Sequence, residues 1–319
     1  LVGLLNFDDY RNRMCSVTPM QPSTGFYFPH FHQDSSWETF VAIANPNLEN
    51  AWVQLVFFRD DGSWLKTETF DIPSNGKEGF VLSSLGITGS GWILVTSSIP
   101  VVGLLNFDDY ANRMGSMSGV TPATDIYFPH FHQDANWQTF YAIVNPSDAP
   151  ASISAVYYRD DGSVAGTDSL TLNPHCKICR FAVSGSGWIA VQSDAPIVGM
   201  LNFDDYHNRM GTIEHAVPSQ TLYFPHFHQD ANWQTYYAIA NPSDQTAMVT
   251  VFYYQEDGSV GYDEHLTLNA HGKFGGFAIS GVGWIKIESN VPIVGMLNFD
   301  DYHNRMGSIC ACQPKPSIM

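Results

Sequence analysis

Alternation of apolar and polar residues runs through short segments of the chain and predicts β-strands. Between Ala151 and Tyr158, alanine, isoleucine and tyrosine take every second position, and serine takes two of the positions between them. Side chains of a strand point alternately to its two faces, so this pattern predicts one buried face. Equivalent segments begin at Ala51 and Ala247, and all three run into a turn with an acidic residue before glycine, which is typical of a hairpin. No window shows sustained helical periodicity.

Two sequence blocks recur along the chain. The thirteen residues YFPHFHQDANWQT begin at Tyr127 and again at Tyr223, and a near copy begins at Tyr27. The block NFDDY, one variable residue and NRM begins at asparagines that lie 100, 96 and 96 residues apart, namely Asn6, Asn106, Asn202 and Asn298. A period near 100 residues is the usual size of one domain. The chain therefore has three copies of the first block and four of the second.

Each repeat contains about seven strand-like segments separated by turn residues. In the middle copy these are Ile126–His132, Thr139–Val144, Ala151–Tyr158, Ser169–Leu172, Ile178–Val183, Gly187–Ser193 and Ile197–Phe203. The pattern predicts an all-β protein of three tandem, immunoglobulin-like antiparallel β-sandwich modules. A β-propeller fits less well, because its blades run about 40 to 50 residues. The predicted divisions are an N-terminal strand segment at 1–14, repeats at 15–114, 115–210 and 211–309, and a C-terminal tail at 310–319.

Composition limits the classes of partner. Hydrophobic residues make up 44% of the chain and the mean hydropathy is −0.11, which is typical of a folded protein. Acidic residues outnumber basic ones by 31 to 14, and the net charge of −17 argues against nucleic acid as a partner. No apolar run is long enough for a membrane span, and no signal segment is visible. The chain opens inside a repeat at Leu1, so we expect a mature or trimmed product.

The motifs GWI, PIVG, FPHF, W-x-T and the AIVNPSD turn resemble those of tandem repeats in secreted and cell-surface bacterial proteins. Those repeats are similar to small β-sandwich modules, most of them without a known function. The resemblance covers nearly the whole chain and implies an exported, non-catalytic module with an extracellular or cell-surface location. The paired histidines depart from that pattern, so the resemblance implies no role for them.

The two recurring blocks stay almost unchanged while the alternating strand drifts, which indicates a geometric or chemical demand on the blocks. Each FPHFHQD block carries a His-x-His pair, and residues i and i+2 of a strand share a face. Two such imidazoles and an aspartate could hold zinc, copper or nickel. The candidate ligands are His30, His32, Asp34, His130, His132, Asp134, His226, His228 and Asp230. The alternative is that the histidines satisfy polar groups at a strand end or stack on aromatic rings.

The NFDDY block favours a structural interpretation. One aspartate of each pair could bind the arginine that follows through a two-pronged hydrogen bond and hold the turn. The residues of these clamps are Asp8, Asp9 and Arg13; Asp108, Asp109 and Arg113; Asp204, Asp205 and Arg209; and Asp300, Asp301 and Arg305. Calcium at the same aspartates is an alternative, with the clamp preferred. A glycosidase-type acid and base pair is weaker, because nothing raises the pKa of one carboxyl group alone.

The five cysteines predict disulfides if the protein is exported. Cys176 and Cys179 replace two glycines of the other copies, which favours a local bond between them. Cys15, Cys310 and Cys312 lie just beyond the first and last NFDDY segments, and an odd total leaves one cysteine free or bonded to another molecule. The histidine precedes the CxxC pair, so covalent haem is not expected. No phosphate loop or dinucleotide fingerprint is present, and so no nucleotide is expected.

The unequal block count suggests how the protein could work. A spare NFDDY strand could complete a neighbouring subunit, which predicts a head-to-tail homopolymer such as a fibre or surface layer. Alternatively, the segment packs within its own chain. A second class is an adhesin or carbohydrate-binding protein that uses Trp37, Trp137 and Trp233, with surface glycans or other extracellular proteins as partners. A metal-dependent enzyme comes third, because identical sites in tandem suit stability or avidity better than turnover. We therefore expect no enzyme.

Overall fold

A computed structural model, which describes residues 2–9 and 11–313, contains an N-terminal hairpin and three β modules. The hairpin consists of β1 (Leu5–Asp8) and β2 (Met14–Val17). The first module contains β3 (Ser23–Gln33), β4 (Glu38–Ala44), β5 (Ala51–Arg59), β6 (Trp64–Ile72), β7 (Lys77–Val81), β8 (Gly89–Asp108) and β9 (Met114–Ser118). A short 3₁₀ helix, Leu82–Leu85, lies between β7 and β8. We call residues 23–118 module 1.

The next two modules repeat the same order of strands. Module 2 (123–214) contains β10 (Ala123–Gln133), β11 (Gln138–Val144), β12 (Ala151–Tyr158), β13 (Val164–Leu172), β14 (Lys177–Phe181), β15 (Gly185–Asp204) and β16 (Met210–Glu214). Module 3 (219–310) contains β17 (Ser219–Gln229), β18 (Gln234–Ala240), β19 (Ala247–Gln255), β20 (Val260–Leu268), β21 (Lys273–Phe277), β22 (Gly281–Asp300) and β23 (Met306–Cys310). Within the described residues, no helix is long and apolar enough to cross a membrane.

Each module is an antiparallel sandwich whose two sheets share one long strand. The first half of β8 pairs with β3 and β5, and its second half pairs with β4 and β9. The strand changes sheets around Pro100, a residue without an amide donor, where neither ladder has a partner. The middle copy therefore has one strand, β15, where the sequence predicted two separated at Pro196. The predicted fold class, tandem antiparallel β-sandwich modules, is confirmed.

The core lies between the two sheets of each module. On β5 the predicted alternation is visible directly, because Ala51, Val53, Leu55 and Phe57 are fully buried while the residues between them are partly or fully exposed. Burial of a side chain of this kind contributes about 1.5 to 3 kcal/mol to stability. The cores of modules 1 and 2 also take in apolar residues of the following module, so the modules are packed against one another rather than strung on linkers.

The strand after each NRM segment belongs to the module before it. Strand β9 pairs with β8, β16 with β15, and β23 with β22. The predicted boundaries after residues 14, 114, 210 and 309 therefore cut through hairpins, and the modules end at 118, 214 and 310. Repeat spacing shows the period but cannot show with which neighbour a strand pairs. Of the predicted tail, residues 314–319 lie outside the described residues.

Four hairpins meet in a closed ring. Strand β2 contacts β9, β9 contacts β16, β16 contacts β23, and β23 contacts β2. The N-terminal segment thus pairs with β2 of its own chain and fills the fourth place of the ring. Within its own chain the spare segment packs as the alternative interpretation expected, with β2 as its one strand partner among the described residues. Strand donation to another subunit stays a prediction.

Candidate functional site

The structure brings the two recurring blocks of each module together. Asp34 closes the turn after β3, because its Oδ1 accepts the backbone N–H groups of Ser36 and Trp37 at 2.7 and 2.8 Å. Its Oδ2 lies 3.0 Å from His32 Nε2. These hydrogen bonds lower the pKa of Asp34, the bond from Ser36 contributing most. The same arrangement recurs at Asp134 and Asp230.

A tryptophan joins this turn to the NFDDY hairpin. Trp37 stacks on His32 with ring centroids 6.2 Å apart, and the guanidinium carbon of Arg113 lies 5.2 Å from the Trp37 ring centroid. The matching distances from Arg209 to Trp137 and from Arg305 to Trp233 are 5.0 and 5.1 Å. These half-buried rings are engaged by a cation, so they are not open platforms for a sugar.

The arginines of the NFDDY block hold their own turns. The Asp9 side chain accepts the backbone N–H groups of Arg11, Asn12 and Arg13, and Arg13 Nε donates to Asp9 Oδ2 at 2.9 Å. Asp109, Asp205 and Asp301 bind Arg113, Arg209 and Arg305 in the same way. Although burial opposes it, hydrogen bonding lowers the pKa of Asp9 and of Asp301 to about 2. The first aspartate of each pair serves a different contact.

That second contact links neighbouring hairpins around the ring. Arg13 Nη1 donates to Asp108 at 2.7 Å, and Arg305 Nη1 donates to Asp8 at 2.8 Å, which joins the last hairpin to the first. Arg113 and Asp204, and Arg209 and Asp300, are ion pairs at 3.7 Å. Amide groups of four equivalent asparagines run parallel to these ion pairs, with hydrogen bonds from Asn12 to Asn112, from Asn208 to Asn304 and from Asn304 to Asn12.

The first histidines of the pairs in modules 1 and 2, His30 and His130, lie at contacts between sandwiches. Lys177 of module 2 has no exposed side-chain surface, and its Nζ lies 3.0 Å from His30 Nδ1, 2.8 Å from the Gly91 carbonyl oxygen and 2.8 Å from Asp60. Burial, followed by the nearby ammonium, keeps the pKa of His30 well below its usual value of 6.5. His30 is therefore a neutral acceptor for a lysine. We call Lys177 and its equivalent Lys273 the interlock lysines.

The next interlock is built differently in detail. Lys273 of module 3 donates to Asp160 at 2.8 Å and to Ser186 at 3.2 Å. His130 Nδ1 has no hydrogen-bond partner among the described residues, although burial and the charge of Lys273 again hold the pKa of His130 well below 6.5. Both lysines also donate their backbone N–H to the carbonyl of the residue at position 60 or 160.

These contacts leave the predicted metal site without a ligand set. His30 and His32 lie near each other, with ring centroids 6.4 Å apart, but one faces a lysine and the other an aspartate. A bulge between Phe28 and Phe31 disturbs the register that the prediction assumed. Among the residues that the structure describes, no three His, Cys, Asp or Glu side chains lie where they could hold one metal ion. This applies both to the transition-metal expectation and to calcium at the aspartate pairs.

A cavity of about 450 Å³ lies where the four hairpins end, a feature that sequence reasoning missed. Thr18, Ser118, Glu214 and Cys310 hold equivalent positions in the four hairpins, and the first two donate to Glu214 at 3.2 and 3.3 Å. Cys310 Sγ donates to the Glu214 carbonyl oxygen. Burial raises the pKa of Glu214. These hydrogen bonds connect the four hairpins at the cavity. The sequence does contain a signal for this cavity, because the residue four positions after the methionine of NRM differs in all four copies.

Cys15, Cys176, Cys179 and Cys310 are free, which corrects the predicted disulfide between Cys176 and Cys179. Cys176 Sγ contacts the Asp61 carbonyl of module 1 at 3.0 Å, whereas Cys179 belongs to strand β14. Cys15 is buried beside Ser116, and burial raises its pKa to about 12. Cys310 and Cys312 lie two residues apart near the end of the described chain. Cys176 thus contributes to a contact between modules, Cys310 to a contact between hairpins, and Cys179 lies on a strand.

No family model matches this chain, and no curated protein matches it. Among solved structures, it is similar to Thermotoga maritima 1070, with 15% identity over 30% of this chain and 95% of that chain and a TM-score of 0.27. It is similar to dimeric latent PorU from Porphyromonas gingivalis, with 12% identity over 86% of this chain and 30% of that chain and a TM-score of 0.17. A tetra-tandem repeat in the extending region of a large adhesion protein is similar at 9% identity, over 99% and 83% of the two chains, with a TM-score of 0.15. Similarity at these levels does not extend to function.

Proposed function

We propose that the protein is a non-catalytic structural scaffold that works outside the cell, in which β-sandwich units are locked side by side around a ring of hairpins. The observation that carries the proposal is the use of both recurring blocks. Their histidines, tryptophans, aspartates and arginines are engaged in holding turns, hairpins and neighbouring modules together. A catalytic protein would keep part of such a set open toward a substrate.

The charge states also support a structural role. The aspartates that bind arginine within their own turn have lowered pKa values, so they stay ionised and cannot act as proton donors near neutral pH. The buried histidines have lowered pKa values and are neutral, and in His30 the ring nitrogen Nδ1 is occupied by a lysine. The extracellular location rests on the resemblance of the repeats to those of secreted bacterial proteins.

Strand donation between chains is not part of this proposal, because β1 is paired with β2 and tied to Arg305 of the same chain. Assembly into larger structures would use other surfaces. Light scattering and electron microscopy of the purified chain over a range of concentrations will show the assembly state. Protease treatment of intact producing cells, with intracellular proteins as the control, tests the location. Full protection of the protein from the protease would contradict an extracellular role.

Catalysis needs its own test, because a scaffold and an enzyme could share this ring. Purified chain is assayed against panels of glycosides, esters and peptides, and any turnover is compared with that of Arg113→Ala and His132→Ala. A scaffold gives no turnover that either substitution changes. Turnover that disappears in His132→Ala, in a variant that unfolds at the same temperature as the parent, would overturn the proposal.

An adhesin or carbohydrate-binding role is the second candidate, and one observation favours it. Trp52 and Trp64 of module 1 are 44% and 63% exposed on its outer sheet, whereas the three tryptophans predicted from the sequence are half-buried. Exposed tryptophan is the side chain that most readily stacks on a sugar ring. Binding to a glycan array that is lost in Trp64→Ala but kept in Trp37→Phe would favour this candidate over the scaffold.

A further inference from the structure

Two surfaces that are covered at the other module contacts stay open between module 3 and module 1. On module 1, Ala44, Val102 and Leu104 are only partly buried and Lys77 is exposed. Their equivalents in module 2, Val144, Val198, Met200 and Lys177, are buried in the contact with module 1. An apolar groove of about 430 Å³ runs between this face of module 1 and the N-terminal hairpin.

The open face of module 3 shows the same difference. In module 1, Phe58 is stacked with Trp92 at 4.4 Å and with His175 of module 2 at 5.0 Å, and Trp92 Nε1 donates to the His175 carbonyl at 2.7 Å. The corresponding stack of Tyr158 with Trp188 is completed by His271 of module 3.

In module 3 that stack lacks its third ring. Tyr254 and Trp284 are stacked at 4.1 Å, but no residue follows them in the described structure, and Trp284 Nε1 has no acceptor there. His226 is only half-buried, and Glu256 stands exposed at the position that Asp60 and Asp160 use to bind the interlock lysines. Module 3 thus presents an aromatic ring and a carboxylate whose equivalents are engaged at both other contacts. It also presents an imidazole whose equivalents, His30 and His130, lie against an aromatic ring of the next module.

The N-terminal hairpin marks the position between these two faces. Met14 packs into the core of module 3, as Met210 packs into that of module 1 and Met306 into that of module 2. However, Leu5 is 54% exposed, whereas Leu105, Leu201 and Leu297 are fully buried. The hairpin therefore occupies its place in the ring. The face of this hairpin that would be covered by a sandwich, as it is in each of the three modules, is exposed.

We infer that this open fourth position takes one further unit of the same repeat, joined to the N-terminal hairpin, so that the complete assembly is a ring of four sandwiches. The chemistry of the two faces specifies the occupant. Toward module 3 it offers a lysine for Glu256 and His226 and a side chain that stacks on Tyr254. Toward module 1 it offers an acidic turn for Lys77 and an aromatic core for Ala44 and Leu104.

A second copy of the whole chain does not fit this position. Each intact module carries its own hairpin, and that hairpin would need the place that β1 and β2 already fill between β23 and β9. A unit that lacks its own hairpin and continues into residues 2–17 meets no such obstacle. The inference rests on the module contacts and the ring, so it can fail while the scaffold proposal stands.

A graft tests the inference on the full chain. Residues 123–196 of module 2 are copied ahead of residue 1, because Leu1 holds the repeat position of Ile197, the residue that follows Pro196. We expect amide exchange in segments 38–44 and 226–228 to slow about tenfold, since both become covered. The melting temperature should rise together with this protection. A second graft, residues 219–292 of module 3, guards against a copy that fails to fold.

Two substitutions in the original chain provide matched controls. Ala44→Glu and Glu256→Lys lie on the open faces, so each should leave the ungrafted chain nearly unchanged. Each should remove the added protection in the grafted chain. Ala44→Glu would bury an unpaired carboxylate in the new contact, and Glu256→Lys would place a lysine opposite the lysine of the added unit. The inference is overturned if neither graft protects either face. It is also overturned if the ungrafted chain protects both faces in a concentration-dependent way, which would make a second copy the occupant.

Discussion

For single residues, the same side chain at the same repeat position differs in burial and in contacts from one repeat to the next. Lys77, Lys177 and Lys273 occupy one repeat position, yet the first is exposed and the other two are buried between modules. Sequence comparison treats the three as equal. Their energetic contribution is set by whether another module lies against them, because an ion pair in water contributes little.

The lysines give a matched pair of variants. Lys177→Met removes the partner of His30 Nδ1 and of the Gly91 carbonyl, so we expect the free energy of unfolding to fall by about 2 to 4 kcal/mol. Lys77→Met should change it by less than about 0.5 kcal/mol, because Lys77 is exposed. Urea unfolding at equilibrium measures both. Equal effects of the two substitutions would contradict the interlock.

The buried histidines predict a loss of stability in mild acid. In the folded chain the pKa values of His30 and His130 are held well below 6.5 by burial and by a nearby lysine. In the unfolded chain they take up protons near pH 6.5, so the unfolded state binds more protons and is favoured as the pH falls below that value. Stability is thus complete above pH 6.5 and declines toward pH 5.

Urea midpoints at pH 7.5 and 5.5 measure this decline. Each buried histidine contributes at most about 1.4 kcal/mol per pH unit. The variant His130→Gln should show a smaller difference between the two midpoints than the parent chain, whereas His265→Gln, at an exposed position, should not. An unchanged difference in His130→Gln would show that His130 does not titrate on unfolding.

At the scale of elements, the hairpins depend on close approach. A Cβ on Gly307 would overlap the hydroxyl oxygen of Ser16 in the next hairpin, and Gly115 and Gly211 face Thr212 and Ser308 in the same way. Glycine is required here by contact distance and not by backbone angle. Cys15 holds the fourth equivalent position and carries a side chain, so the four contacts of the ring are not identical.

Gly307→Ala tests this packing. We expect the free energy of unfolding to fall by about 1 to 3 kcal/mol, because the added methyl group has to displace Ser16. Combining it with Ser16→Gly should cost less than the sum of the two single changes, since the overlap is then relieved. Strict additivity in this double-mutant cycle would mean that the two residues do not meet.

The ion pair of Arg305 and Asp8 helps to close the ring, because it joins the last hairpin to the first. Both side chains are partly exposed, so we expect Asp8→Ala to lower the free energy of unfolding by only about 1 kcal/mol. Its local effect should be larger, with faster amide exchange at residues 5–8 and 14–17. Arg11→Ala, an exposed change in the same hairpin turn, is the control and should leave exchange at these residues unaltered.

At the scale of the whole molecule, the modules share cores, and this predicts a common unfolding transition. The cores of modules 1 and 2 include residues of the following module, the core of module 3 includes Met14 of the N-terminal hairpin, and the ring ties the last hairpin to the first. Differential scanning calorimetry should therefore show one transition whose calorimetric and van't Hoff enthalpies nearly agree. Three separate transitions, or a van't Hoff enthalpy near a third of the calorimetric value, would describe independent modules.

The repeat, the all-β class and the alternating strands could all be predicted from the sequence, because they depend on local periodicity and on spacing along the chain. The sequence also pointed to the FPHFHQD and NFDDY blocks as the segments under constraint. Within the NFDDY block it predicted the ion pair between an aspartate and the arginine four residues later, because a pair within one turn depends on local sequence alone. Among the described residues the predicted metal ligands do not form one set, because His30 faces Lys177 of the following module, a partner that local spacing could not show, while His32 lies against Asp34.

The contacts that surround each repeated residue depend on long-range packing and could not be predicted from the local sequence. Lys177 and His30 lie 147 positions apart, and Arg305 and Asp8 lie 297 apart, so no local pattern could pair them. The ring of hairpins also decided the role of the spare fourth block, which pairs within its own chain. Equal sequences acquire unequal environments once the modules pack side by side around the ring of hairpins, and burial then determines which of the equal residues contributes to stability.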